Sequence, residues 1–514
     1  MYTQLLKIGL LAGLIVLVAC GSETAVTSTP ILPPPNISAG GDDVVGGATL
    51  VPGVVPSVTP GGDTAVTPTP TLAPTNTPTP TAEATAVTNP PTQAVTAAPL
   101  PATSRNLLFL ADGAFRQWNH KTRQIATILP GADPASRVQK PGTSFSYPRI
   151  VGDIANYDMS ADGKRAVVSR LIDRVGIREM FELLYVDMIS REVWTIIPQV
   201  SMLDEFALSP DASQLAFVSV EQTSSLDDEW IYRLFVIPTG GGNLGTARQV
   251  RECSGRCAGL VWNRDSNLFA FRDYEALWLV DLEIGEPTLL LINSVLDREQ
   301  WNPDVDAFYT PIEWANNGHY LLLWNGNGSQ SVLDIPTGQI VDVPNTLVRD
   351  EPFPVQTMWM PDNRLYILRS ISQEGSLMPT AELWRIQPEN GVVLREEWAI
   401  LSDQPLGASG QQYLEDGRFA YVLFAHKVTP NPAAGVYILK GMAETPQRVN
   451  AVPPIVFTPN KQYGLWVADG SGVLIVDGLQ VYYAPAQGDA LYEVTAVLGS
   501  EAHRFQWQPE IVVP

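Results

Sequence analysis

Leu208-Ser209-Pro210-Asp211-Ala212, followed closely by Leu215-Ala216-Phe217-Val218, is the stretch on which the fold turns. A bulky apolar residue, two spacers, an aspartate and a small residue make a tight turn. The aspartate accepts from nearby backbone N–H groups, and proline before it presets φ. An apolar strand follows. The pattern recurs as Met159-Ser160-Ala161-Asp162-Gly163, Trp262-Asn263-Arg264-Asp265-Ser266 and Trp314-Ala315-Asn316-Asn317-Gly318, then as Trp359-Met360-Pro361-Asp362-Asn363 and Tyr413-Leu414-Glu415-Asp416-Gly417. Phe457-Thr458-Pro459-Asn460-Lys461 reads as the seventh copy and Trp507-Gln508-Pro509-Glu510 as a degenerate last one. From Asp162 to Glu510 the steps are 49, 54, 52, 45, 54, 44 and 50 residues. A period near 50 is that of propeller blades.

Each repeat holds four short strands. After second strands such as Phe269-Ala270-Phe271 and Leu365-Tyr366-Ile367-Leu368 come third strands: Leu183–Asp187, Leu234–Ile237, Leu277–Asp281 and, on this reading, Val473–Asp477. Val193-Trp194-Thr195-Ile196-Ile197 is a fourth. No amphipathic helix intervenes, so the class is all-β and the unit a propeller blade. Asn106–Leu110, Ala114–Trp118 and Gln124–Ile128 are three strands with no leading one, while His503–Trp507 is a leading strand with nothing after it. Each fragment completes the other, which closes the ring and removes two sheet edges. The count is eight blades in a single β-propeller. Seven, with one poor copy misread, is the alternative.

The turn pattern, close to W-S-P-D-G and followed by an aliphatic-aromatic strand, resembles the TolB-like propeller repeat, related to WD-repeat propellers, over residues 105–514. The resemblance implies the propeller fold. The amino-terminal domain that TolB carries ahead of its propeller has no counterpart in these residues, which tells against a TolB-type translocation role.

What precedes the repeats reads as an address and a spacer. Residues 1–19 hold a short positive start with Lys7, then an apolar run from Ile8 to Ala19 that suits a signal peptide and is too short to span a bilayer as a helix. The run ends in Leu17-Val18-Ala19-Cys20-Gly21, which resembles the lipobox of bacterial lipoproteins and implies acylation of Cys20. Two or more acyl chains make anchoring stable. Residues 20–104 are then the lipidated cysteine and a linker. Between Ser22 and Ser104 lie 16 Pro and 18 Thr, five acidic side chains, no basic one and no aromatic ring. Such a segment has too little apolar surface to fold alone and favours extended polyproline II. As a coil it reaches about 50 Å. We read it as a stalk that lifts the domain 105–514 off a membrane.

The formal net charge is -22, of which -18 falls on residues 105–514. That field repels phosphate backbones and tells against a nucleic-acid partner. Gly240-Gly241-Gly242-Asn243-Leu244-Gly245 matches G-x-G-x-x-G, but a strand-like piece follows it where a dinucleotide site needs a helix. Gly407-Ala408-Ser409-Gly410-Gln411 misses the nucleophile elbow G-x-S-x-G by one position. His120, His319, His426 and His503 form no paired-ligand motif and read as structural. Cys253 and Cys257, the thiols left beside Cys20, read as a disulfide in an oxidising compartment.

Loop length supplies the remaining clue. The aspartate turns are uniformly tight, whereas Pro130–Gly152, Leu171–Phe181, Glu221–Glu229, Asn293–Tyr309, Ser370–Pro379 and Lys427–Ala434 are long, and in a blade these two sets leave by opposite faces. Function favours variable loops on a rigid scaffold. Asp227 and Asp228 beside Trp230, and Trp301 with Asp304 and Asp306, are the candidate binding residues, suited to Ca²⁺, sugar or protein. No other cofactor is expected. The sequence thus describes a monomeric, membrane-anchored, extracytoplasmic binding or scaffold module with a protein or glycan ligand on the long-loop face. An exported hydrolase or lyase acting on carbohydrate or peptide is the rival, and a TolB-like envelope assembly factor the third reading.

Overall fold

In each repeat the aspartate turn ends one strand and starts the next, and two further antiparallel strands follow. The computed structural model describes residues 100–133, 149–175, 178–202, 205–222, 230–240, 245–293, 308–344, 346, 355–373, 376–425, 431–453, 462–478, 480–488, 490–499 and 501–511. These make eight four-stranded sheets. The leading, innermost strands are Ile154–Met159, Phe206–Leu208, Ala258–Trp262, Thr310–Trp314, Gln356–Trp359, Leu406–Tyr413, Gln462–Trp466 and His503–Trp507, numbered here as blades 1 to 8. In blade 8 the leading strand comes from the C-terminal end and the other three, Leu107–Ala111, Ala114–Asn119 and Gln124–Leu129, from the start of the folded body. Leu107 faces Trp507 and Leu108 faces Gln506 across the junction. The chain is an eight-bladed β-propeller, closed by its own two ends.

The second strands are apolar because both their faces are covered by neighbouring blades. Tyr366, Leu368, Leu383 and Leu406 pack with Phe419, Tyr421 and Leu423 in one cluster joining blades 5 and 6. Burying each such side chain contributes roughly 1.5–3 kcal/mol.

The motif residues explain themselves in the same way. Lys164 N–H donates to Asp162 Oδ1 (3.0 Å) and Ser213 N–H to Asp211 Oδ1 (2.9 Å), so the aspartate fixes its own turn. The aromatic residue reaches backwards: Trp262 Nε1 donates to Ala207 O (2.9 Å) and Trp314 Nε1 to Val261 O (3.0 Å), each in the preceding blade. Turns also bond to the next turn. Ala161 N–H donates to Pro210 O (2.8 Å), Asp211 N–H to Ser266 Oγ (3.0 Å), Asn317 N–H to Asn363 Oδ1 (2.9 Å) and Glu415 N–H to Ala468 O (2.9 Å). Gln508 Nε2 carries the series across the closure to Gly163 O (2.7 Å).

The structure corrects the reading of blade 7. Its motif turn is Trp466-Val467-Ala468-Asp469-Gly470, where Ser471 N–H donates to Asp469 Oδ1 (2.9 Å), and Gly472–Asp477 is therefore its second strand, not a third. Residues 457–460, quoted above as the motif, lie outside the described residues. The Pro459-Asn460 pair is a strong turn signal in its own right and drew the reading away from the copy at Asp469.

Two segments expected as loops are paired strand. Leu171 faces Phe181 and the ladder runs on to Val175 opposite Arg178; Ser370 faces Pro379 and the ladder reaches Gln373 opposite Ser376. Cross-strand charge pairs such as Arg170 with Glu182 and Arg174 with Glu179 carry blade 1's hairpin past the apolar body. Glu221 likewise faces Ile231 in blade 2.

The folded body reaches back to Leu100, whose side chain is buried and whose N–H donates to Arg123 O (3.0 Å). Arg105 then pairs with Glu415 and Glu510 beside the motif turns. The chain enters the propeller on the motif face.

Candidate functional site

The inner strands run towards the motif turns and the second strands run away from them. Residues that begin an inner strand and residues that end a second strand therefore meet at the opposite, long-hairpin face. At blades 2 to 4 this brings together Glu205, Arg256, Arg272 and Thr310. None was singled out from the sequence.

Their setting begins at the disulfide. Cys253 and Cys257 are bonded (1.98 Å), closing a small loop between the outer strand of blade 2 and the inner strand of blade 3. Within it, Gly255 has φ +72°, and a Cβ there would lie 2.2 Å from the Tyr274 ring, so glycine is required for the close approach. Tyr274 N–H donates to Ser254 O (3.0 Å) and Glu275 N–H to Ser254 Oγ (3.2 Å), which ties the loop to the hairpin turn of blade 3. That turn is built on Asp273. Its fully buried carboxylate accepts from the Glu275 and Ala276 N–H groups (3.0 and 2.9 Å) and from Arg251 Nε (3.1 Å).

Against this frame stand two arginines. Arg256 Nη2 donates to Glu205 Oε1 (2.7 Å). Arg272 closes the second strand of blade 3, Leu268-Phe269-Ala270-Phe271-Arg272. Its Nε donates to Thr310 Oγ1 of blade 4 (2.7 Å), and its guanidinium lies over the Phe308 ring, 4.4 Å from the centroid. Burial pushes Arg272 down to about 10, Arg256 adds to the fall, and Glu205, Tyr274 and Asp273 oppose it.

The sequence-derived candidates Asp227, Asp228, Trp301, Asp304 and Asp306 lie outside the described residues, as do Cys20, the signal peptide and His426. Among the described residues no group of three or more His, Cys, Asp or Glu is gathered as a metal site. Ser409 is fully buried on an inner strand and its Oγ contacts Gln356 Nε2 (3.0 Å), so it is not presented as a nucleophile. His120 contacts Asn106 Oδ1 (2.7 Å) and His503 the Glu501 carbonyl (2.7 Å), contacts that hold chain ends in place.

No family model matches the sequence, and no curated protein matches it. Solved structures do match. The Porphyromonas gingivalis dipeptidyl peptidase 4 matches with a TM-score of 0.45 at 11% identity, over 77% of this chain and 61% of the peptidase, so the chain spans under two thirds of that protein. The β-propeller domain of the Trilobed protease from Pyrococcus furiosus gives 0.35 at 11% identity, over 68% of this chain and 97% of that one. TolB from Acinetobacter baumannii gives 0.30 at 12%, over 68% and 83%. The blade count above rests on strand pairing within this chain.

Proposed function

We propose that this chain is a membrane-anchored, extracytoplasmic propeller that binds a ligand or protein partner on its long-hairpin face. The observation that carries the reading is the unlikeness of its two faces. On one, the motif turns are bonded to each other. On the other, hairpins project beyond the body and arginines converge with an acid, a hydroxyl and an aromatic ring. The lipobox-like Cys20 supports the anchored part of this reading, and the chain enters the folded body on the motif face, not among the long hairpins. No observation favours a hydrolase or lyase over this reading.

The test blocks one face at a time. Val175→Cys on the long-hairpin side and Arg264→Cys among the motif turns both replace exposed residues. The full chain carrying either, coupled to a bulky maleimide, is presented to glycan and peptide arrays. Binding lost only with the Val175 label supports the proposal. Binding lost only with the Arg264 label, or turnover of an arrayed compound, refutes it.

A further inference from the structure

Three blades place an arginine at the fifth or sixth residue of the second strand, and they treat it differently. In blade 5, Arg369 donates through Nε and Nη2 to the buried Glu382 (3.1 and 2.7 Å) on the third strand. In blade 1, Arg170 meets Glu182 directly across the hairpin. In blade 3 the residue facing Arg272 across the hairpin is Leu277. Among the described residues no carboxylate lies within ion-pairing distance of Arg272; its contacts are the Thr310 hydroxyl and the Phe308 ring.

A half-buried guanidinium without a counter-charge carries a desolvation cost. Glu205 and Asp273 lessen that cost at a distance without reaching Arg272, because each is engaged elsewhere. Glu205 holds Arg256, and Asp273 and Glu275 both hold Arg251. Every described acid of the cluster is thus taken by Arg251 or Arg256, and none is left to pair with Arg272. Thr310 takes Nε alone, and neither Nη atom of Arg272 is among the buried nitrogens and oxygens that lack a partner. The outer edge of the fork is open.

We propose that Arg272 is the anchor of a binding site for a monoanionic carboxylate on the long-hairpin face, between blades 3 and 4. A planar fork takes a carboxylate through two parallel N–H donors. One unpaired fork matches the one charge of a carboxylate, whereas a phosphate dianion would meet Glu205, Asp273 and Glu275 with a charge unmatched. Phe308 covers one side of the guanidinium plane and so fixes the fork's orientation. Arg256, held by the disulfide loop and by Glu205, is a positioning residue that narrows the site. The inference rests on the long-hairpin face being the binding face, and it names the chemistry that this face recognises.

Two sources supply that chemistry, a peptide C-terminus and a sugar acid, and calorimetric titration of the full chain separates them. The probes are the tripeptide Ala-Ala-Phe, its C-terminal amide, glucuronic acid and glucose. Saturable binding of the free acid with no binding of its neutral partner is expected for at least one pair, and identifies the source. Arg272→Met is expected to abolish that binding while raising the melting temperature of the free protein, because it removes a desolvated charge. Should Arg272→Met fold poorly, Arg272→Lys keeps the charge without the fork and is expected to weaken binding at least about tenfold. Unchanged affinity in either variant, or no binding of any acid, overturns the proposal. An array ligand that is blocked by the Val175 label yet indifferent to Arg272 overturns the carboxylate site alone and leaves the binding face standing.

Discussion

Trp507 sits opposite Leu107 and donates its indole N–H to the Leu465 carbonyl (2.9 Å), so one residue near the C-terminus joins the first strand of the folded body to blade 7. Gln508 follows, with its side-chain carbonyl accepting from Asn106 and Gln117 (2.9 Å each) and its amide donating to Gly163. Deleting residues 503–514 removes all of these and strips blade 8 of its inner strand. We expect aggregation or loss of cooperative unfolding, read by circular dichroism melts and size-exclusion chromatography. Phe505 and Trp507 are half-buried rather than enclosed, so Trp507→Ala alone should cost less than the roughly 3–5 kcal/mol of a fully buried aromatic. A silent deletion would mean that the ring closes without its last strand.

Glu313 of blade 4 is largely enclosed and receives the Trp359 N–H (3.4 Å); burial pushes its carboxyl up to about 7 against that opposing bond. The folded state then binds the proton more tightly than the unfolded chain, whose glutamates titrate near about 4.3. The group's contribution is present below that pH and is lost as pH rises through 7. Glu313→Gln should match the wild type in acid and exceed it at pH 8 by roughly 1–3 kcal/mol, discounted for partial exposure. Denaturant titrations at several pH values decide, and a gap that does not change with pH counts against the assignment.

Truncation separates the spacer from the body. A chain beginning at Pro99 keeps Leu100, Thr103 and Arg105 and should melt with the full chain. One beginning at Asn106 loses the Leu100 side chain from the core and both Arg105 ion pairs. Its melting temperature should fall by a few degrees, the effect of about 2 kcal/mol in a protein of this size. Identical melting of the two truncations would show that the body begins later.

The Cys253–Cys257 loop is short, so the chain-entropy gain from the bond is about 2 kcal/mol. Replacing both cysteines by serine should cost no more than that while loosening Arg256. The expected signature is a small drop in melting temperature with a larger loss of carboxylate-probe affinity.

Cys20→Ala should leave the protein unacylated and release it from the membrane fraction. Continued membrane retention with lipid labelling undiminished would remove the lipobox from the account.

Blades were legible because their chemistry is local. An aspartate turn and an apolar strand announce themselves within ten or so residues, and strand ends left unpaired at Asn106 and His503 implied closure. Blade 7 was misplaced because a Pro-Asn pair outcompeted Trp466 and Asp469 as a local signal. Hairpins at Leu171–Phe181 and Ser370–Pro379 looked like loops because their strands continue past the apolar body, the first on charged pairs and the second on a ladder that reaches Gln373 opposite Ser376. Arg272 was invisible for a different reason. Its sequence context, an arginine after an apolar strand, is shared with Arg369; what differs is whether a glutamate or a leucine stands nearby on the third strand, a relation between strands rather than within one.

The sheet order of blade 8 has a mechanical meaning. The strand Leu107–Ala111, through which any pull on the preceding chain reaches the body, is flanked by Ala114–Asn119 on one side and His503–Trp507 on the other. Force arriving at Leu100 must therefore break two ladders together instead of peeling an edge. A protein held by one end against flow or against a grasping partner is strongest with its grip point in that position, and a ring closed by an outermost strand at the entry point would unzip under the same load.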